Sequence, residues 1–355
     1  ELKFTCMPCA EEVRLHNLTH LPFRDWCPFC VQGRAVNAPH YASAKDKEKE
    51  VPVISMDYMG MNRREPSDDT FPIIVTVDSK SSTLGSHVLL KKGVEPYAVK
   101  TLVKDFRDLL GYSKFIFKSD QEPAILALKN AVAKELTAGQ GDKMQIIMEE
   151  SPVGESQSNG KAEAAVKTIQ GMFRTIKLHL QAKLKQTIDE EHCVWAWLTT
   201  HVAMLINRYK IGEDGKTPRQ RLRGKRFKAA VAEFGENVMY LNPESKGKDK
   251  LNTRWSEGIW LGIREQSGEV YIGTKEGTIK VRTIRRKSTE PERWNWDMFK
   301  DIKGTPWEPE PGRYNIEVKS RVGLPKEDTD EIIKPLEVHD RDIIKRRMYI
   351  RKNDV

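Results

Sequence analysis

The sequence predicts an α/β fold: a mixed five-stranded sheet with flanking helices, preceded by a small Cys/His-rich element and followed by a small barrel-like β domain. Three observations carry this. Between residues 51 and 210 the apolar patterning runs strand, strand, strand, helix, strand, helix, strand, helix. Four of the five cysteines lie in two Cys-x-x-Cys pairs within the first thirty residues. Short β-like runs divided by glycines recur beyond Gly212.

Residues 1–40 form the first unit. Cys6/Cys9 and Cys27/Cys30 flank His16 and His20, and two zinc sites compete for these side chains. In one, His16 and His20 share a helix face and join Cys27 and Cys30 in the N2S2 shell that zinc accepts. In the other, Cys6, Cys9, Cys27 and Cys30 form a ribbon-type site. A pair of disulfides would need an oxidising compartment, which nothing else in the sequence supports. Residues 41–50 are charged and read as a linker.

The core spans residues 51–210. Val51 to Met59, Phe71 to Asp78 and Leu84 to Leu90 read as three successive strands. Pro96 to Leu110 has apolar residues at helical spacing, Tyr112 to Phe117 is a fourth strand ending at Ser119-Asp120, Glu122 to Leu136 is a helix and Met144 to Met148 a fifth strand. A long helix opens after residue 157, and Val194 to Tyr209 forms an apolar helix behind it. Four β-like runs at 237–241, 258–263, 269–272 and 278–281 place a basic β-rich domain at 211–288. Residues 289–355 are rich in Pro, Trp and charge, and no fold is assigned to them.

Length and charge bound the function. The 355 residues suffice for two or three domains at about 150 residues each. No apolar run approaches the roughly 18 residues of a membrane span, and no signal peptide is visible, so membrane and secretory readings are disfavoured. The chain begins with Glu1, which reads as a piece excised from a longer product. Of the net charge of +9, residues 211–287 hold +8, the footprint of a polyanion such as nucleic acid.

Two carboxylates stand out. Asp57 interrupts an apolar strand and Asp120 ends the fourth; neighbouring strands would bring them together, and buried carboxylates need a compensating cation or donor. A third belongs near the long helix, where Glu155 and Glu163 compete. Glu155 sits in a loop-like segment and Glu163 in the first helical turns, and a helix fixes a ligand better. Lys161, Lys167, Arg174 and Lys177 follow on that helix as candidate phosphate contacts, against the alternative of an ordinary solvated face. Arg219, Arg221, Arg223, Lys225 and Arg226 form a second basic run, suited to phosphate contact or nuclear import. Trp255 and Trp260 read as barrel core.

Together these residues carry a resemblance. Asp57-Tyr-Met-Gly, Val-Asp78, Lys118-Ser-Asp120 and Gln157-Ser-Asn-Gly-Lys-Ala-Glu163, preceded by His-x3-His and Cys27-Pro-Phe-Cys30-Val-Gln-Gly-Arg34, resemble the integrase of copia-type long-terminal-repeat retrotransposons. Phe234-Gly-Glu-Asn-Val238 and Trp255-Ser-Glu-Gly-Ile-Trp-Leu-Gly262 follow in matching order, so the resemblance spans roughly residues 10–285. It implies an RNase H-like core in which Asp57, Asp120 and Glu163 hold two Mg2+ or Mn2+ ions. It also implies structural Zn2+ at His16, His20, Cys27 and Cys30, with Asp78 as a structural acid. The activity implied is 3'-end processing and strand transfer of element DNA into target DNA, by a homo-oligomer, in the nucleus after a cytoplasmic assembly stage. The alternatives are a catalytically inactive DNA-binding or tethering derivative and a hydrolytic nuclease of the same fold. Two departures stand beside this: the stretch from Asp120 to Glu163 is longer than usual, and that from His20 to Cys27 is shorter.

Overall fold

The computed structural model describes residues 8–34, 51–61, 70–138, 144–150, 160–227, 231–243, 253–311 and 321–323. The proposed linker, Cys6, Glu155 and most of the C-terminal tail lie outside them.

Five strands build the central sheet: β1 Val53–Met59, β2 Ile73–Asp78, β3 Leu84–Val88, β4 Lys114–Ser119 and β5 Gln145–Glu150. Their order is β3-β2-β1-β4-β5, with β1, β2 and β3 antiparallel and β4 and β5 parallel to β1. This is the RNase H-like mixed sheet. The apolar run of β1 is explained by burial on both faces. Ile54 and Met56, with Ile74, Phe115 and Phe117, pack against α3 (Pro96–Lys104) and α4 (Pro123–Thr137). Met59, with Ile73, Val75 and Val77, faces α5 (Gly160–Leu184) and α6 (Val194–Tyr209).

The helix expected over 96–110 is in two parts. Glu95 caps α3 by accepting from the Tyr97 and Ala98 backbone N–H groups, and α3 passes into a π-helical turn over Asp105–Leu110. That turn stops at Gly111, whose φ of 69° suits glycine.

Beyond α7 (Pro218–Arg223), five antiparallel strands form a second sheet. They are β6 Asn237–Leu241, β7 Trp255–Ile263, β8 Val270–Gly273, β9 Thr278–Val281 and β10 Ile284–Arg286, in the order β10-β6-β7-β8-β9. Only Arg282 and Thr283 separate β9 from β10, although these strands stand at opposite ends of that order. So short a link forces the sheet to curl on itself, giving a barrel-like shape. Trp260 is fully buried in it and Trp255 half-buried.

Residues 289–311, left without a fold by the sequence, are ordered against this sheet. They carry α8 (Glu290–Arg293) and α9 (Trp296–Phe299), and bury Phe299 and Ile302 in the same apolar cluster as α6 and β7. The short helices escape periodicity because one turn is too little to show a period. The cluster runs without a break from the central sheet through α6 into the second sheet. At their contact, a Cβ on Gly262 would approach His201 Nδ1 to 2.9 Å, so glycine permits the close approach of β7 to α6.

Candidate functional site

The N-terminal element is built from α1 (Ala10–Asn17), which carries His16, and α2 (Pro28–Arg34), which begins just after Cys27. His16, His20, Cys27 and Cys30 are all buried, and their ligand atoms lie within 4.8 Å of one another. Cys30 Sγ is 3.3 Å from His16 Nε2 and 3.9 Å from His20 Nδ1, and Cys27 Sγ is 3.6 Å from His20 Nδ1. A tetrahedral ion with ordinary zinc–nitrogen and zinc–sulfur bonds would set such N···S edges at about 3.6 Å. Both cysteines are free thiols, and burial pushes the His20 imidazole down to about 3, keeping it neutral as a metal ligand must be. The Cys30 thiol is held well below the usual range by the Cys27 hydrogen bond and by His16 and His20. The donor set therefore fits zinc. Cys9 is exposed and stands outside this group.

This element is docked on α5. A Cβ on Gly33 would come within 2.8 Å of the Thr175 backbone, and Arg174 Nε donates to the Gly33 carbonyl at 3.0 Å. His20 also stacks edge-on to His179 of α5.

The acidic residues converge through strand register. Ser55 of β1 pairs with Lys118 of the parallel strand β4, the last pair of that ladder; Asp57 lies two residues further along β1 and Asp120 just past the end of β4, close enough for its charge to act on Asp57. Alternation along β1 turns Asp57 to the same face as Met59, the face covered by α5, whose first turn carries Glu163. Burial, reinforced by the charge of Asp120 and then of Glu122 and Glu163, raises the Asp57 carboxyl to about 6. The backbone N–H of Glu122 donates to Asp120 Oδ1 at 3.3 Å, which orients that carboxylate. Among the described residues no cation pairs with Asp57, Asp120 or Glu163 within 4.0 Å. Half-buried carboxylates without an ion-pairing cation, with Lys129 acting on Asp120 only at longer range, suit a hard divalent ion. The three are spread more widely than the His/Cys group, which alone among the described residues brings its ligand atoms within 4.8 Å.

Asp78 has a different environment. It is buried and accepts from Ser81 N at 2.8 Å and from the Tyr112 hydroxyl at 2.7 Å, tying the β2–β3 turn to the start of β4. Glu122 escaped sequence reasoning, although Asp120-Gln-Glu122 placed a second carboxylate two residues beyond a strand end. It pairs with Lys92 at 2.7 Å, and Lys92 lies over the Tyr58 ring.

The basic residues divide. Lys161 and Lys167 are exposed on α5. Lys177 is buried, with its ammonium 5.9 Å from the centre of the Trp195 ring, so it departs from the expected exposed face. The zinc-type element and α6 cover that part of α5, which spacing along one helix could not reveal. In the second run, Arg221 makes a two-pronged contact with Asp214 and donates to the Ser81 carbonyl, while Arg223 donates to the carbonyls of Asp108 and Leu109. These contacts tie α7 to the core. Arg219 packs on Phe227, Arg226 reaches Gln220, and Lys225 is exposed.

No family model matches the chain, and no curated protein matches it. Among solved structures the chain is similar to a chain of the simian T-cell lymphotropic virus intasome in complex with PP2A regulatory subunit B56 gamma. The identity there is 12% and the TM-score 0.34, over 78% of this chain and 98% of that one. It is also similar to the catalytic core domain of BIV integrase, at 17% identity and a TM-score of 0.32, over 48% of this chain and 92% of that one. A third likeness is to the HTLV-2 integrase catalytic core domain in complex with magnesium, at 14% identity and a TM-score of 0.35, over 50% of this chain and all of that one. Superpositions this loose carry no weight here; the fold rests on strand order and register.

Proposed function

We propose that the chain is an integrase of the copia-type retrotransposon class, a DNA polynucleotidyl transferase acting on element ends and target DNA. One observation carries the reading: Asp57 of β1 is half-buried beside Asp120, and burial first, then the charge of Asp120 and more weakly of Glu122 and Glu163, raises its carboxyl to about 6. A carboxyl raised by burial and by neighbouring carboxylates is one that a divalent cation would return to its charged form.

Asp57, Asp120 and Glu163 would hold two Mg2+ or Mn2+ ions, which when bound supply activation of the attacking oxygen and stabilisation of the leaving 3' oxygen. In this reading β1 supplies Asp57, the residue after β4 supplies Asp120 and the first turn of α5 supplies Glu163. The Glu122 N–H fixes the rotation of Asp120. With water as nucleophile the site trims a 3' end; with the freed 3'-OH it joins that end to target DNA. Lys161 and Lys167, exposed on the same helix as Glu163, are the candidate phosphate contacts nearest in sequence to the site. Zn2+ at His16, His20, Cys27 and Cys30 would be structural. Assembly as a homo-oligomer and action in the nucleus belong to the same reading.

The test is strand transfer on labelled duplex DNA with Mg2+ or Mn2+, comparing wild type with Asp120→Asn, Glu163→Gln and Glu155→Gln. Joining lost with Asp120→Asn and Glu163→Gln but kept with Glu155→Gln is the expected result. Salt-sensitive DNA binding without joining by wild type would replace this reading with that of a tethering protein.

A further inference from the structure

A cavity of about 360 Å3 opens between the core and the second sheet, lined by residues of β3, α3 and α6 on one side and of β7, β8, β9 and residues 306–309 on the other. Asp57, Asp120 and Glu163 do not line it. Its volume lies in the range of small-molecule sites and is far too small for a duplex.

Two chemistries meet in it. Its aromatic wall contains Trp197 and Tyr271, with ring centres 4.8 Å apart, and Trp307, set edge-on to Tyr97 at 6.2 Å. Tyr97, Tyr271 and Trp307 are only half-buried, so part of each ring is open to a ligand. Its basic side contains Lys100 and Lys104, one turn apart on α3, and Lys280 on β9.

The carboxylates of the lining are already engaged. Asp105 is held by His87 at 2.6 Å and Gln266 at 3.4 Å, and Glu265 by Asn207 at 3.3 Å with Arg208 at 3.8 Å. Arg264, also in the lining, is paired with Glu269 at 3.3 Å. Among the described residues no carboxylate forms an ion pair with Lys100, Lys104 or Lys280. Burial, and after it the charge of Arg264 and, more weakly, of Lys280, push the Lys104 ammonium below its ordinary range against the opposing pull of Asp105 and Asp108. Cations of α3 and of the second sheet thus share the cavity with no carboxylate in ion-pair contact, Asp105 and Asp108 acting on Lys104 only at longer range, an arrangement that an anion would relieve.

We propose that this cavity binds a single nucleotide unit, with its phosphate between Lys104 and Lys280 and its base against the half-buried rings of Tyr97, Tyr271 and Trp307. Every base has a π-face, so stacking there tolerates sequence, and the lysines recognise phosphate as point charges. A free nucleotide and an unpaired nucleotide at a DNA strand end present the same chemistry. The site is separate from the acidic one and stands or falls without it.

The test is isothermal titration calorimetry of the full chain with deoxyadenosine monophosphate, inorganic phosphate, a five-nucleotide single strand and a blunt duplex. Saturable binding of the mononucleotide is expected, tighter than inorganic phosphate by at least about tenfold, since stacking on an aromatic side chain contributes roughly 1–3 kcal/mol per base. Lys104→Gln and Lys280→Gln should each weaken it several-fold with unchanged melting temperature. Tyr271→Leu should weaken the mononucleotide while leaving inorganic phosphate unaffected. Competition by the single strand assigns the unit to a DNA end, and its failure to compete assigns it to a free nucleotide. Asp120→Asn should bind as wild type does, which separates this result from the fate of the acidic site. Absence of saturable binding, or binding unchanged in both lysine variants, would overturn the proposal.

Discussion

His20 of the N-terminal element and His179 of α5 meet edge-on, with ring centres 4.6 Å apart, at the joint between that element and the core. The contact continues inward. His179 Nε2 bonds Glu233 at 3.0 Å, and Arg286 of β10 bonds both Glu233 and Glu236. A chain of buried polar groups therefore runs from the His/Cys cluster to the second sheet.

The stability of the whole molecule is accordingly expected to follow the metal. Cys30→Ser, or treatment with a strong zinc chelator, should reduce bound zinc from about one ion per chain to almost none. It should also lower the melting temperature of the entire chain. Zinc content by mass spectrometry and calorimetric melting check this; an unchanged melting profile after zinc loss would refute the coupling.

Glu233 gives the pH dependence of that joint. Against the penalty of burial, the His179 hydrogen bond and the Lys183 and Arg286 charges hold its carboxyl down to about 2 from an ordinary 4.5. A depressed carboxylate contributes stability that is present above pH 4.5 and lost as pH falls toward 2. The contribution at neutral pH is on the order of 3 kcal/mol. Glu233→Gln should remove it, measured as a stability loss at pH 7 that shrinks in acid.

Asp57 has the opposite sign. Its folded value of about 6 exceeds its ordinary 3.8, so the native state binds the extra proton. The metal-free protein should lose stability as pH rises through this window. Asp57→Asn should raise the melting temperature at pH 7.5 and have little effect below pH 4. Mg2+ or Mn2+ should stabilise wild type but not the variant, whose strand transfer should fall by at least about 100-fold. Equal stabilisation of both proteins by the metal would count against a site at Asp57.

The basic residues should separate by role. Arg221→Ala breaks the tie to Asp214 and Ser81 and should lower the melting temperature while leaving DNA affinity nearly intact. Lys161→Ala with Lys167→Ala should leave melting unchanged and reduce the slope of log affinity against log salt by about 2. Filter binding across a salt series checks both.

Much of the core was legible because its strands are buried on both faces, and β1, β2 and β4 stand out as apolar runs between turns. The acids were legible for the converse reason: Asp57 interrupts such a run. Strand β10, three residues long, was not legible, nor was the π-helical turn, since both depend on tertiary contacts. Nor could spacing foresee that Lys177 is buried over Trp195, because a basic residue on a helix looks the same whether or not another element covers it. His179 gave no signal at all; its role arises from the meeting of three elements distant in sequence.

Every residue of α6 except Thr200 and Tyr209 is buried, because the helix packs against β3 of one sheet and β7 of the other. Its Asn207 side chain bonds both backbone groups of Leu84 at 2.8 Å and also reaches Glu265. A helix clasped from both sides cannot serve as a hinge. The two sheets should therefore melt in one step and move as one piece, and a fragment ending at residue 210 would expose an oily flank and aggregate. A DNA strand lying across both sheets would meet a fixed template rather than a pair of jaws.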